Sequence, residues 1–169
     1  TVSEAIQAFL ESCRATLSPS TIRGYTACQR AFEAYPRLMS MRINDLTKRD
    51  VQMVIDAMCL SGSSAKTVRN RYSFLSAALK RHEIALQVRL PARQRPSVAV
   101  PDDSVMKRII EASRGTGLHV PILRAAIGGL RRGEICALTL EDIKDTVIHV
   151  HADMVYSPEK EWVVKEIPK

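Results

Sequence analysis

The stretch VRLPARQRPSVAVP, residues 88–101, constrains the fold of this chain more than any other. It holds three prolines, three arginines and no acidic residue. Proline inside a helix removes a backbone donor and clashes with the preceding turn, and it pushes the residue before it towards extended backbone. The stretch therefore reads as an extended linker between residues 1–87 and 102–169. The 169 residues suffice for one ordinary domain or two small ones. Charge divides at nearly the same place. Residues 1–100 carry 15 Lys and Arg against 7 Asp and Glu, a net +8, and residues 101–169 carry 10 against 11, a net −1. A basic first half joined to a neutral second half points the first half at a polyanion.

Several classes drop out early. No apolar run approaches the ~20 residues a membrane span needs. The opening TVSEAIQAFLESCRATL lacks a basic segment followed by an apolar one, so no signal peptide is expected. Cys13, Cys28, Cys59 and Cys136 are scattered without metal-ligand spacing and read as reduced, mostly packed thiols of a cytoplasmic protein. No cofactor, metal or membrane partner is expected.

Four helices are expected in the first half. Thr1 and Glu4 have capping-box spacing, followed by an apolar stripe of Val2, Ala5, Ile6, Phe9, Leu10 and Cys13. LSPSTIRGY starts a second helix, with Ser18 as cap and Pro19 at the first helical position, turning Ile22, Tyr25 and Phe32 to a core. LTKRDVQMVIDAM gives a third, capped by Thr47 and Asp50, with Val51, Val54, Ile55 and Met58 at helical spacing. After the turn SGSS the fourth runs from about Ala65 to Arg81, burying Val68, Tyr72, Leu75 and Leu79. In the second half Asp102 or Asp103 caps a helix bearing Val105, Ile109 and Ile110, and a further helix passes through VPILRAAI. TVIHVHADMVY and EWVVKEI, separated by SPEK, read as a β-hairpin. A lone hairpin is marginal, so the second domain is expected to be cut short.

Two helix starts in the basic half resemble each other, SPSTIRGY and SSAKTVRNRY. Unpaired N–H groups and the positive end of the helix dipole favour phosphate there, and Ser, Thr, Arg and Lys supply side-chain donors. Ser20, Thr21 and Arg23 on the second helix are candidate DNA contacts, as are Lys66, Thr67, Arg69, Asn70 and Ser73 on the fourth. The face bearing Lys66, Arg69, Asn70 and Ser73 suits a major groove, with Asn70 or Arg69 near base edges. Arg89, Arg93 and Arg95 of the linker add cations. Ser-Pro-Ser-Thr is equally a good cap. Tyr25 and Tyr72 read as core residues.

In the second half, AAIGGLRRGEICALTLEDI (125–143) looks like an apolar helix interrupted by two glycines and two arginines. The glycines permit a sharp turn or a close backbone approach. A guanidinium near a core is costly unless paired or presented to an anion. Glu134 can orient Arg131 without saturating its five donors, leaving a fork for phosphate oxygens. On these residues alone a structural Arg–Glu pair with a second, solvated arginine is the slightly favoured reading. His149 and His151 read as surface residues of a strand, facing one side, rather than as a metal site.

GLRRGEICALTLEDI resembles the first catalytic box of the tyrosine recombinases, the phage-integrase family, and is most similar to prophage and conjugative-transposon integrases. The order of helical domain, basic linker, arginine box and hairpin is similar too. The resemblance implies a mainly α protein: a four-helix, SAM-like core-binding domain followed by the α+β amino-terminal part of a catalytic domain. It implies that Arg131 is the first catalytic arginine, Glu134 its acidic helper, and Lys169 in EIPK the catalytic lysine, with Lys165 the alternative. The implied partner is double-stranded DNA. The implied activity is cutting and rejoining through a 3′-phosphotyrosine, by a homotetramer of the full-length protein in a bacterial or phage-encoded, nucleoid-associated setting. The family's His-x-x-Arg box, later His or Trp and tyrosine nucleophile have no counterpart here, so this chain is expected to be a monomer that binds DNA and cleaves nothing. Two rival readings are a helical DNA-binding regulator, in which Arg131 has no special role, and a protein-interaction module without nucleic acid.

Overall fold

The computed structural model describes residues 1–93 and 97–166. Its first helix, α1 (Val2–Arg14), starts at the reciprocal Thr1–Glu4 cap and buries the whole expected stripe from Val2 to Cys13. In α2 (Pro19–Glu33) Ser18 accepts from the Thr21 N–H, and Ile22 and Phe32 are buried. A five-residue helix, α3 (Pro36–Ser40), follows at once, with Leu38 buried. It raises the helix count of this half to five. Five residues are too few to show a period, and Pro36 at its first position is the only local signal. α4 (Lys48–Leu60) has the expected Thr47–Asp50 capping box and buries Val51, Val54, Ile55 and Met58. Gly62, at φ +81°, then reverses the chain. α5 (Ala65–Lys80), capped by Ser64, buries Val68, Phe74, Leu75, Ala78 and Leu79.

These helices enclose one core. Phe32, Phe74, Ile6, Leu10, Ile55, Met58 and Leu75 are each less than 2% exposed or close to it, and each large apolar side chain so buried contributes about 1.5–3 kcal/mol. Tyr25 joins Phe9 and Phe74 in a tilted aromatic cluster with centroids 5.1–5.8 Å apart. Arg81 lies over the Phe9 ring at 5.4 Å.

Beyond α5 the chain runs along the helices as a strap, with Ile84, Leu86, Val88 and Leu90 packed on the core. The Tyr72 hydroxyl, half-buried rather than fully so, donates to the Leu86 carbonyl. Gln52 clasps the Arg89 backbone from both sides, accepting from its N–H at 2.7 Å and donating to its carbonyl at 3.0 Å. Arg69 Nε donates to the Pro91 carbonyl at 2.9 Å. Residues 88–91 are thus held by the first unit.

By its internal contacts the chain divides into Thr1–Pro96 and Ser97–Lys169. The second unit holds α6 (Asp103–Ser113), α7 (His119–Ala126) and α8 (Arg132–Ala137). Asp102 caps α6, accepting from the Val105 N–H at 2.8 Å. A 3-10 turn at Leu140–Asp142 leads into two short hairpins. β1 (Ile143–Lys144) pairs with β2 (Val147–Ile148), and β3 (Asp153–Tyr156) pairs with β4 (Trp162–Lys165), both antiparallel.

The stretch TVIHVHADMVY is therefore not one strand. Its alternation suggests continuity, but a turn at Asp145 (φ +53°) folds Val147–Ile148 back onto Ile143–Lys144. Only Asp153–Tyr156 reaches the hairpin with EWVVKEI, where Tyr156 opposes Trp162 and their rings meet edge-on at 5.0 Å. The buried residues of this unit among those described are small or polar: Ala137, Ala152, Ser113, Glu134, Asp142 and Ser157.

Candidate functional site

The segment 125–143 is two helices rather than one interrupted helix. Gly128 packs where a Cβ would stand 2.7 Å from the Arg124 carbonyl oxygen, and Gly129 turns at φ +66°. The Leu130 N–H donates back to the Arg124 carbonyl. This closes α7, and Arg131 becomes the cap residue of α8 in extended conformation, φ −73° and ψ 153°. The two glycines thus lift Arg131 out of any helix and set it at the amino end of the next one.

Glu134 then holds Arg131 from beneath. Its Oε2 accepts from the Arg131 backbone N–H at 2.8 Å, and its Oε1 accepts from Nη1 at 2.8 Å. The Glu134 side chain is 9% exposed and that of Arg131 is 74% exposed. The ion pair is therefore single-pronged, and most of the guanidinium's five donors face outward with no other partner among the described residues. The Glu134 carboxyl is held below the ordinary carboxylate value, first by the Arg131 N–H and then by the guanidinium, against the opposing effect of burial. Arg132 is exposed.

Gly133 sets the neighbouring hairpin. A Cβ there would lie 1.8 Å from Asp153 Oδ1 and 2.9 Å from the Met154 carbonyl oxygen, so β3 reaches α8 only because position 133 has no side chain. Across the hairpin Asp153 opposes Lys165, which is half-buried on β4. Lys165 thus pairs with the strand residue whose carboxylate meets Gly133 of α8. Lys169 and Arg95 lie outside the described residues.

His149 and His151 fall on the connection between β2 and β3, not on a strand. The His149 N–H donates to the Asp142 carbonyl, and His151 Nδ1 lies 3.1 Å from Asp142 Oδ1. Asp142 also accepts from the Thr139 N–H and hydroxyl, which hold its carboxyl below the ordinary value, the backbone bond foremost. These bonds tie the 3-10 turn to the connection. Among the described residues no three His, Cys, Asp or Glu side chains are grouped to hold a metal ion.

In the first unit α2 packs against α5. The hydroxyls of Ser18 and Thr21 are 2.8 Å apart, as are those of Ser64 and Thr67. Ser20 also joins Ser18 at 3.1 Å. Thr21 from α2 and Asn70 and Ser73 from α5 line one cleft of about 320 Å³, with Gly24, Tyr25, Cys28 and Phe74. Lys66, Arg23 and Arg93 are exposed. Arg69 Nε donates to the Pro91 carbonyl, and the residue is half-buried. Arg89 is exposed but has its backbone clasped by Gln52.

Sequence reasoning did not find Gly24 as a lining residue, nor Arg71, whose Nη1 lies 3.5 Å from Ser63 Oγ. The signal for Gly24 was a glycine inside a helical pattern. Burial pushes the Cys28 thiol up, with Arg71 opposing, so it is a poor nucleophile. A separate depression of about 340 Å³ between α3 and α4, lined by Tyr35, Leu38, Asp50 and Met53, contains none of the expected site residues.

No helix among the described residues is long and apolar enough to cross a membrane. No family model matches the sequence, and no curated protein does. Solved structures do. The Tn1549 transposon integrase in complex with transposon right-end DNA superposes with a TM-score of 0.72 at 21% identity, over 98% of this chain and 57% of that one. The same integrase in complex with circular-intermediate DNA gives 0.74 at 20% identity, over 96% of this chain and 58% of that one. The chain thus spans somewhat over half the length of those structures, and across nearly all its own length it has the fold of the Tn1549 transposon integrase.

Proposed function

We propose that this chain is the DNA-binding portion of a site-specific tyrosine recombinase. In this reading residues 1–87 form the DNA-binding domain, 88–101 a basic linker, and 102–169 the start of the catalytic domain. The observation that carries it is the Arg131–Glu134 pair: a buried carboxylate spends one oxygen on the backbone and one on the guanidinium, leaving the side chain 74% exposed. An outward, oriented fork suits a phosphodiester. The shared fold and the DNA in both Tn1549 integrase complexes support the same reading.

The chemistry follows from the residues. A tyrosine hydroxyl attacks phosphorus, the bond to the 5′ oxygen breaks, and the 3′ phosphate remains on the tyrosine. Charge on the non-bridging oxygens rises in the transition state, where Arg131 opposes it. A lysine, Lys169 or Lys165, gives its proton to the departing 5′ oxygen. The nucleophile and second arginine box belong to the longer protein, which works as a homotetramer on two duplexes. The chain alone binds as a monomer.

Binding is tested by titrating this chain into a labelled duplex at two salt concentrations. The affinity must fall steeply between about 50 and 200 mM salt; a flat response removes nucleic acid from the reading. In the longer protein, Arg131→Lys abolishes covalent capture on a nicked suicide duplex while sparing binding. If capture survives in the variant, Arg131 has no catalytic role; if the unmodified longer protein binds DNA and captures none, the regulator reading stands.

A further inference from the structure

Among the described residues of the first unit's helices, only α4 leaves large apolar side chains exposed, Met53 at 44% and Leu60 at 89%. At about 3.6 residues per turn, Arg49, Met53, Asp56 and Leu60 fall within about 60° of one another around the helix axis. That strip lies across the helix from the buried Val51, Val54, Ile55 and Met58. All four of its members are exposed. Met53 stands where two hollows adjoin, one of about 340 Å³ between α3 and α4 and one of about 510 Å³ along α4 that Arg49 and Asp56 also line.

The strip is unmatched in charge as well as in packing. The Arg49 side chain makes no hydrogen bond or ion pair among the described residues. Asp56 Oδ1 accepts from Gln52 Nε2 at 2.8 Å, a neutral donor that leaves the carboxylate's charge uncompensated. Within one helix Arg49 and Asp56 cannot meet, because they stand about 10 Å apart along the axis. Duplex DNA does not suit the strip: Asp56 repels phosphate, and Met53 and Leu60 offer it no donor. The order of the residues is instead its own complement. Arg49 precedes the midpoint between Gln52 and Met53 by the same distance as Asp56 follows it. Turned end for end about that point, the strip sets Arg49 against the partner's Asp56, Asp56 against the partner's Arg49, and Met53 beside the partner's Met53. A two-fold contact requires this reciprocity.

We infer that the outward face of α4 pairs antiparallel with the same face of a second copy, with Met53 at the two-fold axis and an Arg49–Asp56 bridge on either side of it. Methionine is flexible and polarizable, and the adjoining hollows give each Met53 room to seat against the other. One helix face is far smaller than a standard interface, and exposed ion pairs add little. The pairing is therefore weak, with a dissociation constant on the order of 100 µM. In dilute titrations each copy still meets its duplex singly. The contact joins first units without DNA and does not rest on the DNA-binding reading.

The test is sedimentation of the 169-residue chain without DNA, over about 5 to 500 µM. The unmodified chain shifts from monomer towards dimer across that range, and Met53→Glu remains monomeric throughout. Arg49→Glu alone and Asp56→Arg alone each weaken the pairing by about fivefold or more, since each sets like charges together across the axis. Combined in one chain, the two substitutions exchange the charges and restore the affinity to within about twofold. Residues with only a structural role within one helix give no such rescue. All three positions are exposed, and a carboxylate at position 49 sits favourably in the first turn of α4. The unfolding temperature of the variants therefore stays close to that of the parent. A chain that stays monomeric to the top of the range overturns the inference. So does association that persists in Met53→Glu, which places the contact elsewhere, or a double variant that pairs no better than the single ones. None of these outcomes touches the DNA-binding reading, which stands or falls on the duplex titration.

Discussion

Arg131 stays outward because Glu134 grips it with a single oxygen and uses the other to close the turn of its backbone. The same carboxylate therefore fixes both the position of the residue and the direction of its side chain. Its acidity is shifted downward by those bonds. A carboxyl whose folded value is depressed contributes stability above its unfolded value and loses it as pH falls through the folded one. Glu134 and Asp142 both belong to this class. The expected outcome is that the protection factor of the Arg131 backbone amide, its exchange relative to the unstructured rate at the same pH, is high at neutral pH and is lost as pH drops below the ordinary carboxylate range, about 4. Amide exchange followed by NMR across that range checks it, and Glu134→Gln should move the transition or remove it. The sequence already showed the Arg–Glu spacing. It did not show which donors would stay open, because that depends on how deeply Glu134 is buried in the folded unit, where α8 packs against β3 some twenty residues away.

Among the elements, α8 and β3 meet at a position that admits no side chain. Gly133→Ala places a methyl against both the Asp153 carboxylate and the Met154 carbonyl. The carboxylate can swing aside; the backbone carbonyl cannot without moving the strand. The variant should lose about 1–3 kcal/mol in the second unit, read by urea unfolding, and adding Asp153→Ala should restore only part of it. Such contacts explain what was legible in the sequence and what was not. α1, α2, α4 and α5 announce themselves through caps and apolar spacing that lie within each element. α3 is too short to carry a period, and the β1–β2 hairpin hides inside an alternating run. The cleft of Thr21, Asn70 and Ser73 is the product of two helices almost fifty residues apart, so each wall could be named but not their meeting. The bond from Arg69 to Pro91 was hidden for the same reason: its partner sits 22 residues downstream.

At the level of the whole molecule the two units are held by different forces. The first buries a continuous apolar cluster from Val2 to Leu79. The second buries mainly Ser113, Glu134, Asp142 and Ser157, while Leu118, Val120, Ile127 and Val164 remain more than half exposed. Hydrogen–deuterium exchange resolved along the chain should find amides of α1, α4 and α5 exchanging at least about a hundredfold more slowly than those of α8 and β3, the equivalent of ~3 kcal/mol. Equal protection in the two units would contradict this account of their cores.

The β3–β4 hairpin also carries the chain's single tryptophan, Trp162, 61% exposed beside Tyr156. Its fluorescence therefore reports on the second unit alone, since Tyr25, Tyr35 and Tyr72 are the only phenols of the first. Excitation at the red edge of the indole band leaves the helical unit dark, and any change in emission on adding a duplex is a signal from the hairpin's own surroundings.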